Sequence, residues 1–237
     1  MLKTVATKKL FYRKYPFKIC CRIVGASQVK YRGADWVVHR YNGLSQDEAH
    51  NRYGGNDLGW KPRSQQIDYP DLVLFARLVK KWIKDSNIHI RCEGSRYNLC
   101  CLDLKTYEKI LKDLTPWVVE VTRPETKEDL EFFTKNGPAK ILVKELPHSA
   151  FKYKIVMKPS MTSDRRSKFN NWLSKYDIHP KAISRNTQRW LSNNVSYIQD
   201  PFFYVENDEM LTIINLYLGN VISRTEEFVV RNKEEQA

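Results

Sequence analysis

Residues 88–102 read IHIRCEGSRYNLCCL, and this stretch decides the fold prediction. Two runs rich in β-branched and aromatic residues flank the tetrapeptide EGSR at 93–96, a pattern typical of a β-hairpin. Before the hairpin, residues 68–83 combine acidic residues and a proline with apolar side chains at helical spacing, which predicts a helix. After it, residues 104–114 predict a second helix by the same spacing.

Two further strands complete the pattern, because residues 17–24 and 117–121 are short β-prone runs. The order strand, helix, strand, strand, helix, strand is that of the split βαβ, or ferredoxin-like, motif. RNA-recognition modules share this order, but their Lys/Arg-Gly-Phe/Tyr-Gly/Ala-Phe motif is absent, so only the strand order is inferred. We therefore predict an α+β chain whose first ferredoxin-like module, RRM-like in strand order, covers residues 1–123.

The second half of the chain repeats parts of this pattern. A hairpin is predicted over residues 202–218, turning at 207–208. We expect a connection at 124–148, a second and looser ferredoxin-like module at 149–230, and a frayed acidic tail at 231–237. An internal duplication is one explanation of the repeated pieces, and chance similarity is the other.

Residues 25–66 interrupt the first module. They contain six of the nine glycines and show no sustained hydrophobic period. We predict a long glycine- and aromatic-rich insertion without regular structure. Such segments are uncommon inside compact domains and are usually functional or mobile.

Composition excludes several classes of protein. The 237 residues are 42% hydrophobic and 28% charged, which fits a globular chain and not a disordered one. No run approaches the roughly 18 apolar residues of a membrane-spanning helix, so we expect a soluble protein with no membrane partner. The first residues lack a signal-peptide pattern, and five cysteines make a poor disulfide framework. These features predict a cytoplasmic protein with reduced, buried cysteines.

The net charge of +13 is unevenly distributed. Residues 1–64 contain 13 basic and 4 acidic side chains, and residues 148–201 contain 10 and 3. Residues 65–147 are nearly balanced, with 14 basic and 13 acidic side chains. Segregated positive charge is typical of a surface that binds phosphates, although two ordinary solvated faces would also produce it.

The first predicted site lies within residues 27–63, where cations alternate with aromatic side chains. Aromatic rings stack on bases while cations pair with phosphates, which is what binding a single strand requires. The predicted contact residues are Lys30, Tyr31, Arg32, Trp36, Arg40, Tyr53, Trp60 and Arg63. Tyr, Trp and Arg are also enriched at protein interfaces, so the alternative is that loop 27–63 contacts other protein subunits.

The second predicted site is the basic segment 152–189. Two short helices are expected there, with their cations facing solvent as a phosphate-binding face. Its predicted contact residues are Lys152, Arg165, Arg166, Lys168, Arg185 and Arg189.

Few residues point to catalysis. Asp71 and Asp103 fit the letters of a metal-dependent nuclease pattern, but Asp71 stands where a helix begins, a position that the helix dipole explains. His39, beside Arg40, leaves a metal-free ribonuclease as one alternative. Phosphate-binding glycine motifs and the CxxC pairs of zinc sites are absent. We therefore predict no cofactor, no metal and no assigned catalytic residue.

Taken together, these patterns favour binding of single-stranded nucleic acid, RNA or DNA. Lys and Arg would neutralise phosphates, and aromatic side chains would stack on bases. The alternatives are a structural or assembly subunit of a larger complex and, third, a metal-free endoribonuclease.

Overall fold

The computed structural model describes residues 2–53, 67–175 and 181–231. The chain is α+β and divides into two compact units, Met1–Glu131 and Phe132–Ala237. Each unit has one mixed β-sheet and a hydrophobic core of its own. None of the described helices is both long and apolar enough to cross a membrane.

The first unit contains a five-stranded sheet in the order β1-β5-β2-β4-β3. Strands β1 and β5 are parallel, and the other neighbours are antiparallel. The predicted strands, the hairpin and both helices are confirmed. The elements in chain order are β1 (Lys3–Ala6), β2 (Phe17–Arg22), α1 (Ala26–Tyr31), α2 (Ala34–Tyr41), α3 (Gln46–Tyr53), α4 (Tyr69–Ile83), β3 (Ile88–Glu93), β4 (Arg96–Cys101), α5 (Leu104–Leu114) and β5 (Val118–Arg123).

Helix α4 forms the centre of the first core. The Asp68 side chain caps it by accepting a hydrogen bond from the backbone N–H of Asp71 at 2.8 Å. On one face of this helix, Leu72, Phe75, Ala76 and Val79 are completely buried. They belong to one cluster with the inward-facing residues of the sheet. Each such side chain stabilises the fold by roughly 1.5–3 kcal/mol.

The prediction that residues 25–66 lack regular structure is wrong for the part that the structure describes. This part forms helices α1, α2 and α3. Gly25 and Gly33 have φ angles of 88° and 99°, and each directly precedes a helix. The glycines therefore separate short helices, and helices of six to eight residues are too short to show a sustained period. Residues 54–66 lie outside the described part of the chain.

The second unit contains a four-stranded sheet in the order β6-β9-β7-β8. Strands β6 and β9 are parallel, and the other neighbours are antiparallel. The helix α6 (Lys127–Asn136) spans the boundary between the units. The remaining elements are β6 (Lys140–Val143), β7 (Tyr153–Met157), α7 (Ser163–Leu173), α8 (Arg185–Leu191), β8 (Phe202–Val205), α9 (Asp208–Leu218) and β9 (Ile222–Val230).

Two predictions about this unit need correction. Residues 124–148 are more than a connection, because they contain α6 and β6, and β6 pairs with β9 in the second sheet. The hairpin predicted over 202–218 is strand β8 followed by helix α9. The Asn207 side chain caps this helix by accepting from the backbone N–H of Met210 at 2.9 Å. Ile214 and Leu218, four residues apart, are buried on one face.

The two sheets share a detailed pattern. In each, the first strand is an edge strand parallel to the last strand of the unit. The β2–β5 ladder shifts register between Cys20 and Cys21, and the β7–β9 ladder shifts between Val156 and Met157. At both positions the last strand has one residue more than its partner.

The C-terminal halves of the units also match without insertions. Helix α5 leads through the 3-10 helix Thr115–Trp117 into β5. Helix α9 leads through the 3-10 helix Gly219–Val221 into β9. Both α-helices have 11 residues and begin with a side-chain cap, from Asp103 in the first unit and from Asn207 in the second.

Candidate nucleic-acid interface

The structure brings together four of the residues predicted in segment 27–63. Trp36 and Arg40 lie one turn apart on α2, and Tyr53 ends α3. The Arg40 guanidinium carbon is 4.1 Å from the ring centroid of Tyr53 and 5.1 Å from that of Trp36. The guanidinium of Arg32 also approaches Trp36, at 5.7 Å from its ring centroid. We call Arg32, Trp36, Arg40 and Tyr53 the Trp36 cluster.

A buried tyrosine, Tyr41, packs against the two aromatic rings of this cluster. The ring of Tyr41 contacts Trp36 edge-on at 6.0 Å and Tyr53 at 5.5 Å between centroids. Its hydroxyl donates to Oε1 of Gln28 at 3.0 Å. Because Tyr41 is only 1% exposed, the packing beneath the cluster restricts its rings to a narrow range of orientations.

The cluster lines an open cavity of about 330 Å³. The lining residues that the structure describes are Trp36, His39, Arg40, Asn42, Leu44, Arg52 and Tyr53. These described residues include two arginines and one histidine and no acidic residue. Cavities of roughly 300–1,000 Å³ are typical of ligand sites. His39 and Arg52 are exposed at this cavity, so its polar groups face solvent. Chemically, the site offers π-faces beside fixed positive charge.

The other residues predicted in this segment lie away from the Trp36 cluster or outside the part of the chain that the structure describes. Tyr31 is 74% exposed at the end of α1, and Lys30 beside it is also exposed. Lys30 lies close to β3, where its positive charge lowers the pKa of His89. Trp60 and Arg63 lie outside the described residues.

Arg166 is not part of a solvent-facing basic surface, which corrects its predicted role. Its side chain is buried, with 7% of the residue exposed. Its Nη1 donates to the backbone carbonyls of Trp190 and Val195, both at 3.0 Å, and its guanidinium lies 5.1 Å from the Trp190 ring centroid. Arg166 therefore fastens α7 to the end of α8.

Two predicted lysines of the second unit are paired with carboxylates. Lys152 donates to Asp208 at 2.8 Å, and this hydrogen bond is the main reason why its pKa is raised. Lys168 pairs with Asp164, one turn earlier on α7, also at 2.8 Å. Exposed ion pairs of this kind contribute little stability, and a phosphate competes with the carboxylate for the cation.

Three predicted arginines of the second unit are exposed. Arg165 donates to Oδ1 of Asn220 at 3.0 Å and lines a surface cavity of about 230 Å³ together with Lys158. Arg185 and Arg189 are exposed on α8. These arginines are the part of the predicted basic face whose charge is available to an anion.

Strand aromatics divide between the two faces of the sheets. Phe17, Tyr97 and Phe203 are buried in the cores, as strand alternation allows. Phe202 and Tyr204 alternate with Phe203 and lie on the opposite face of the second sheet, where Lys154 Nζ is 4.1 Å from the Phe202 ring centroid. Lys154 belongs to the predicted basic segment 152–189 but was not among its predicted contact residues.

The carboxylates considered for catalysis have structural roles. Asp71 accepts a hydrogen bond from Nε1 of Trp117 at 2.8 Å in the first turn of α4, and Asp103 caps α5. Among the described residues no group of three or more His, Cys, Asp or Glu side chains is placed to hold a metal ion. Burial raises the pKa of the Cys21 and Cys101 thiols to about 12, so both remain protonated at neutral pH.

Comparison of the chain with protein-family models, with curated proteins and with solved structures found no match.

Proposed function

We propose that the protein binds single-stranded nucleic acid and that the Trp36 cluster is a principal contact in the first unit. The observation that carries this proposal is the contact of the Arg40 guanidinium with two aromatic rings, on the wall of a cavity whose described lining residues include no acid. Trp36 and Tyr53 offer faces for a base, while Arg40 and Arg52 offer charge to the adjacent phosphates. Stacking tolerates all four bases, so the proposed binding is not sequence-specific.

In the second unit the proposed contacts are Arg165, Arg185 and Arg189. Their exposure supports this role, and Arg165 has a cavity beside it. Arg166 is left out of the proposal because it is buried.

We further propose that both units are ferredoxin-like and arose by internal duplication. The order β5-β2-β4-β3 corresponds to the 4-1-3-2 strand order of that fold, and β9-β7-β8 corresponds to 4-1-3. Register shifts at equivalent positions of both sheets support a common origin, because an irregularity of this kind is usually retained within a family.

Fluorescence anisotropy with labelled oligouridine and oligothymidine tests the binding. Oligomers of roughly 16 nucleotides are suitable, because this is the upper end of the length of single strand that one OB-fold domain, a well-studied single-strand binder, covers. We expect affinity to fall by orders of magnitude between about 50 and 200 mM salt. The ratio of the two affinities identifies RNA or DNA as the preferred ligand.

Variants of Trp36 test whether the Trp36 cluster is where the oligonucleotide binds. Trp36→Ala should weaken binding about 5- to 150-fold, the equivalent of one stacked base at roughly 1–3 kcal/mol, and Trp36→Phe should restore part of it. Lys109→Ala, an exposed cation on α5, serves as the charge control and should change affinity little.

The outcomes separate the proposal from its alternatives. Absence of binding at low salt would refute it. Salt-insensitive self-association or capture of a protein subunit, weakened by Trp36→Ala, would indicate the assembly alternative. Cleavage of the RNA oligomer without added metal, abolished by His39→Ala, would indicate the ribonuclease alternative.

A further inference from the structure

A strained turn before β2 carries two large side chains. The backbones of Phe11 and Tyr15 pair, and the N–H of Lys14 donates to the carbonyl of Phe11 at 3.0 Å. Tyr12 and Arg13, which lie between Phe11 and Tyr15 in this turn, have φ angles of 49° and 62°. Turns with two left-handed residues favour Asn-Gly, which forms them with little strain. Strained residues with exposed side chains are a recognised feature of binding sites.

The turn places Tyr12 against His89 on β3. Their ring centroids are 3.9 Å apart, and the ring of Tyr15 lies 6.1 Å from that of His89 on a nearly parallel plane. Tyr12 is 44% exposed, so part of its ring is available to a ligand. Among the described residues, His89 has no hydrogen-bond partner for its ring nitrogens.

Positive charge surrounds this pair of rings. Arg91, two residues along β3 and therefore on the same face as His89, donates to the Tyr12 hydroxyl at 3.5 Å. Lys30 of α1 lies near His89, and Arg13 is exposed on the turn. On this face of the sheet Glu93 pairs with Arg91 at 2.6 Å. Further across the same face, Glu120 of β5 pairs with Lys3 and Lys18. On β4 the residue opposite His89 is Cys100, a buried thiol that stays neutral.

This environment favours the neutral form of His89. Burial is the largest cause that lowers its pKa, followed by the charges of Lys30 and Arg91. A neutral histidine among cations is poised to gain a proton when an anion arrives, because the anion cancels the neighbouring charge that disfavours the imidazolium form.

We propose that Tyr12, Arg13, Lys30, His89 and Arg91 form a second site on the first unit, which binds the phosphodiester backbone of a single strand, and that His89 takes up a proton on binding. We call this set the His89 site. Arg13, Lys30 and Arg91 supply charge, His89 adds one more once protonated, and Tyr12 stacks on a base. The class of ligand rests on the proposed function, whereas the location and the proton uptake are new.

Proton uptake fixes the sign of the pH dependence. In this proposal the pKa of His89 is higher in the complex than in the free protein. Affinity therefore rises as the pH falls below the pKa of His89 in the complex, and it levels off once the pH is below the pKa of His89 in the free protein. Each unit of difference between these two pKa values corresponds to a tenfold change in affinity.

The first experiment measures affinity for oligouridine and oligothymidine between about pH 5 and 8, the range in which histidines titrate. We expect the wild-type protein to bind about tenfold more tightly at the acidic end, as for a pKa rise of one unit. His89→Gln should bind as the wild type does at the alkaline end and lose most of the gain at the acidic end. His50→Gln, an exposed histidine on α3 that does not line the cavity of the Trp36 cluster, is the control and should keep the gain.

NMR provides a readout that does not depend on affinity. Titration of the His89 ring protons should give a higher pKa with saturating oligonucleotide than without it. An unchanged pKa in the complex would overturn the proposal.

The double variant Tyr12→Asn, Arg13→Gly tests the site without endangering the fold. It installs the residues that this turn favours, so the variant should be at least as stable as the wild type to urea. We expect its affinity to fall at least tenfold, because it loses one stacking ring and one cation. A stable variant with wild-type affinity would overturn the proposal.

The two proposals fail in distinguishable ways. Binding that depends on Trp36 but has no pH dependence attributable to His89 would overturn only the His89 site. Binding that depends on His89 and Tyr12 but is unaffected by Trp36→Ala would overturn the role of the Trp36 cluster.

Discussion

Replacing Arg166 by alanine should destabilise the second unit, whereas the same change at the neighbouring Arg165 should not. The structure gives these adjacent arginines opposite surroundings. The Arg166 guanidinium is buried against the Trp190 ring and donates to two backbone carbonyls. Arg165 is exposed on α7 and donates to Asn220.

The magnitude follows from the lost hydrogen bonds. A hydrogen bond to a charged group contributes about 1.5–3 kcal/mol, and Arg166→Ala removes two of them. The lower end applies because the bond to the Val195 carbonyl is only partly buried and water replaces some of it. We therefore expect a loss of about 3 kcal/mol. Arg165→Ala should stay within about 0.5 kcal/mol of the wild type, as is usual for surface positions.

Urea unfolding of the full chain, followed by circular dichroism, measures the difference. With a slope of about 2 kcal/mol per molar urea, the transition that includes the second unit should move down by about 1.5 M in Arg166→Ala. Nucleic-acid affinity tests the other role, which is contact with phosphate. At a temperature where both variants are folded, Arg165→Ala should weaken binding and reduce its salt dependence, while Arg166→Ala should leave the salt dependence unchanged.

Equal unfolding midpoints for Arg166→Ala and the wild type would refute the structural role of this arginine. A reduced salt dependence in folded Arg166→Ala would do the same, since it would show that Arg166 contacts phosphate after all.

Three further predictions concern single positions. Gly25→Ala should destabilise the first unit by at least 1 kcal/mol in urea unfolding, because φ is 88° there and a Cβ atom would lie 2.9 Å from Leu72 Cδ2. Under native conditions at pH 8, iodoacetamide should modify Cys92 before the other cysteines in peptide mapping, because Cys92 is half-buried with a pKa of about 11 while the others are buried. Asn207→Ala should lower the free energy of unfolding by about 1 kcal/mol through loss of the α9 cap, whereas Asn207→Asp should retain it.

The elements of the first unit were predictable because several local signals agreed. Asp68, the proline after it and the periodic apolar residues all indicated the start and face of α4. The tetrapeptide 93–96 fixed the hairpin, and Gly94 has the positive φ of 60° that its turn requires. Agreement between cap, turn and period is what makes a sequence prediction reliable.

The prediction of α9 failed because its signals conflict. Residues 210–218 are mostly apolar and include two isoleucines, a composition that short strands and buried helices share. The deciding feature is Asn207, which was assigned to a turn and in fact caps a helix. Both roles use the same short polar side chain, and only the packing of Ile214 and Leu218 distinguishes them.

For the candidate sites, the sequence predicted the types of residues but not their surroundings. It identified Trp36, Arg40 and Tyr53, yet their assembly depends on helices α2 and α3, which were not predicted. It counted Arg165 and Arg166 as equivalent charges. No local pattern distinguishes them, because the burial of Arg166 depends on the end of α8, more than 20 residues later in the chain.

Charge counted along the sequence therefore overstates the basic surface of the second unit and misses part of that of the first. In the second unit one arginine is buried and two lysines are paired, so three of the six predicted cations remain available among the described residues. In the first unit, Lys30 and Arg91 stand far apart in the sequence, but both lie close enough to His89 to lower its pKa. A phosphate senses the potential at one point of the surface, and that potential depends on which charges are exposed together. The position of the cations, more than the net charge of +13, is what the binding experiments above examine.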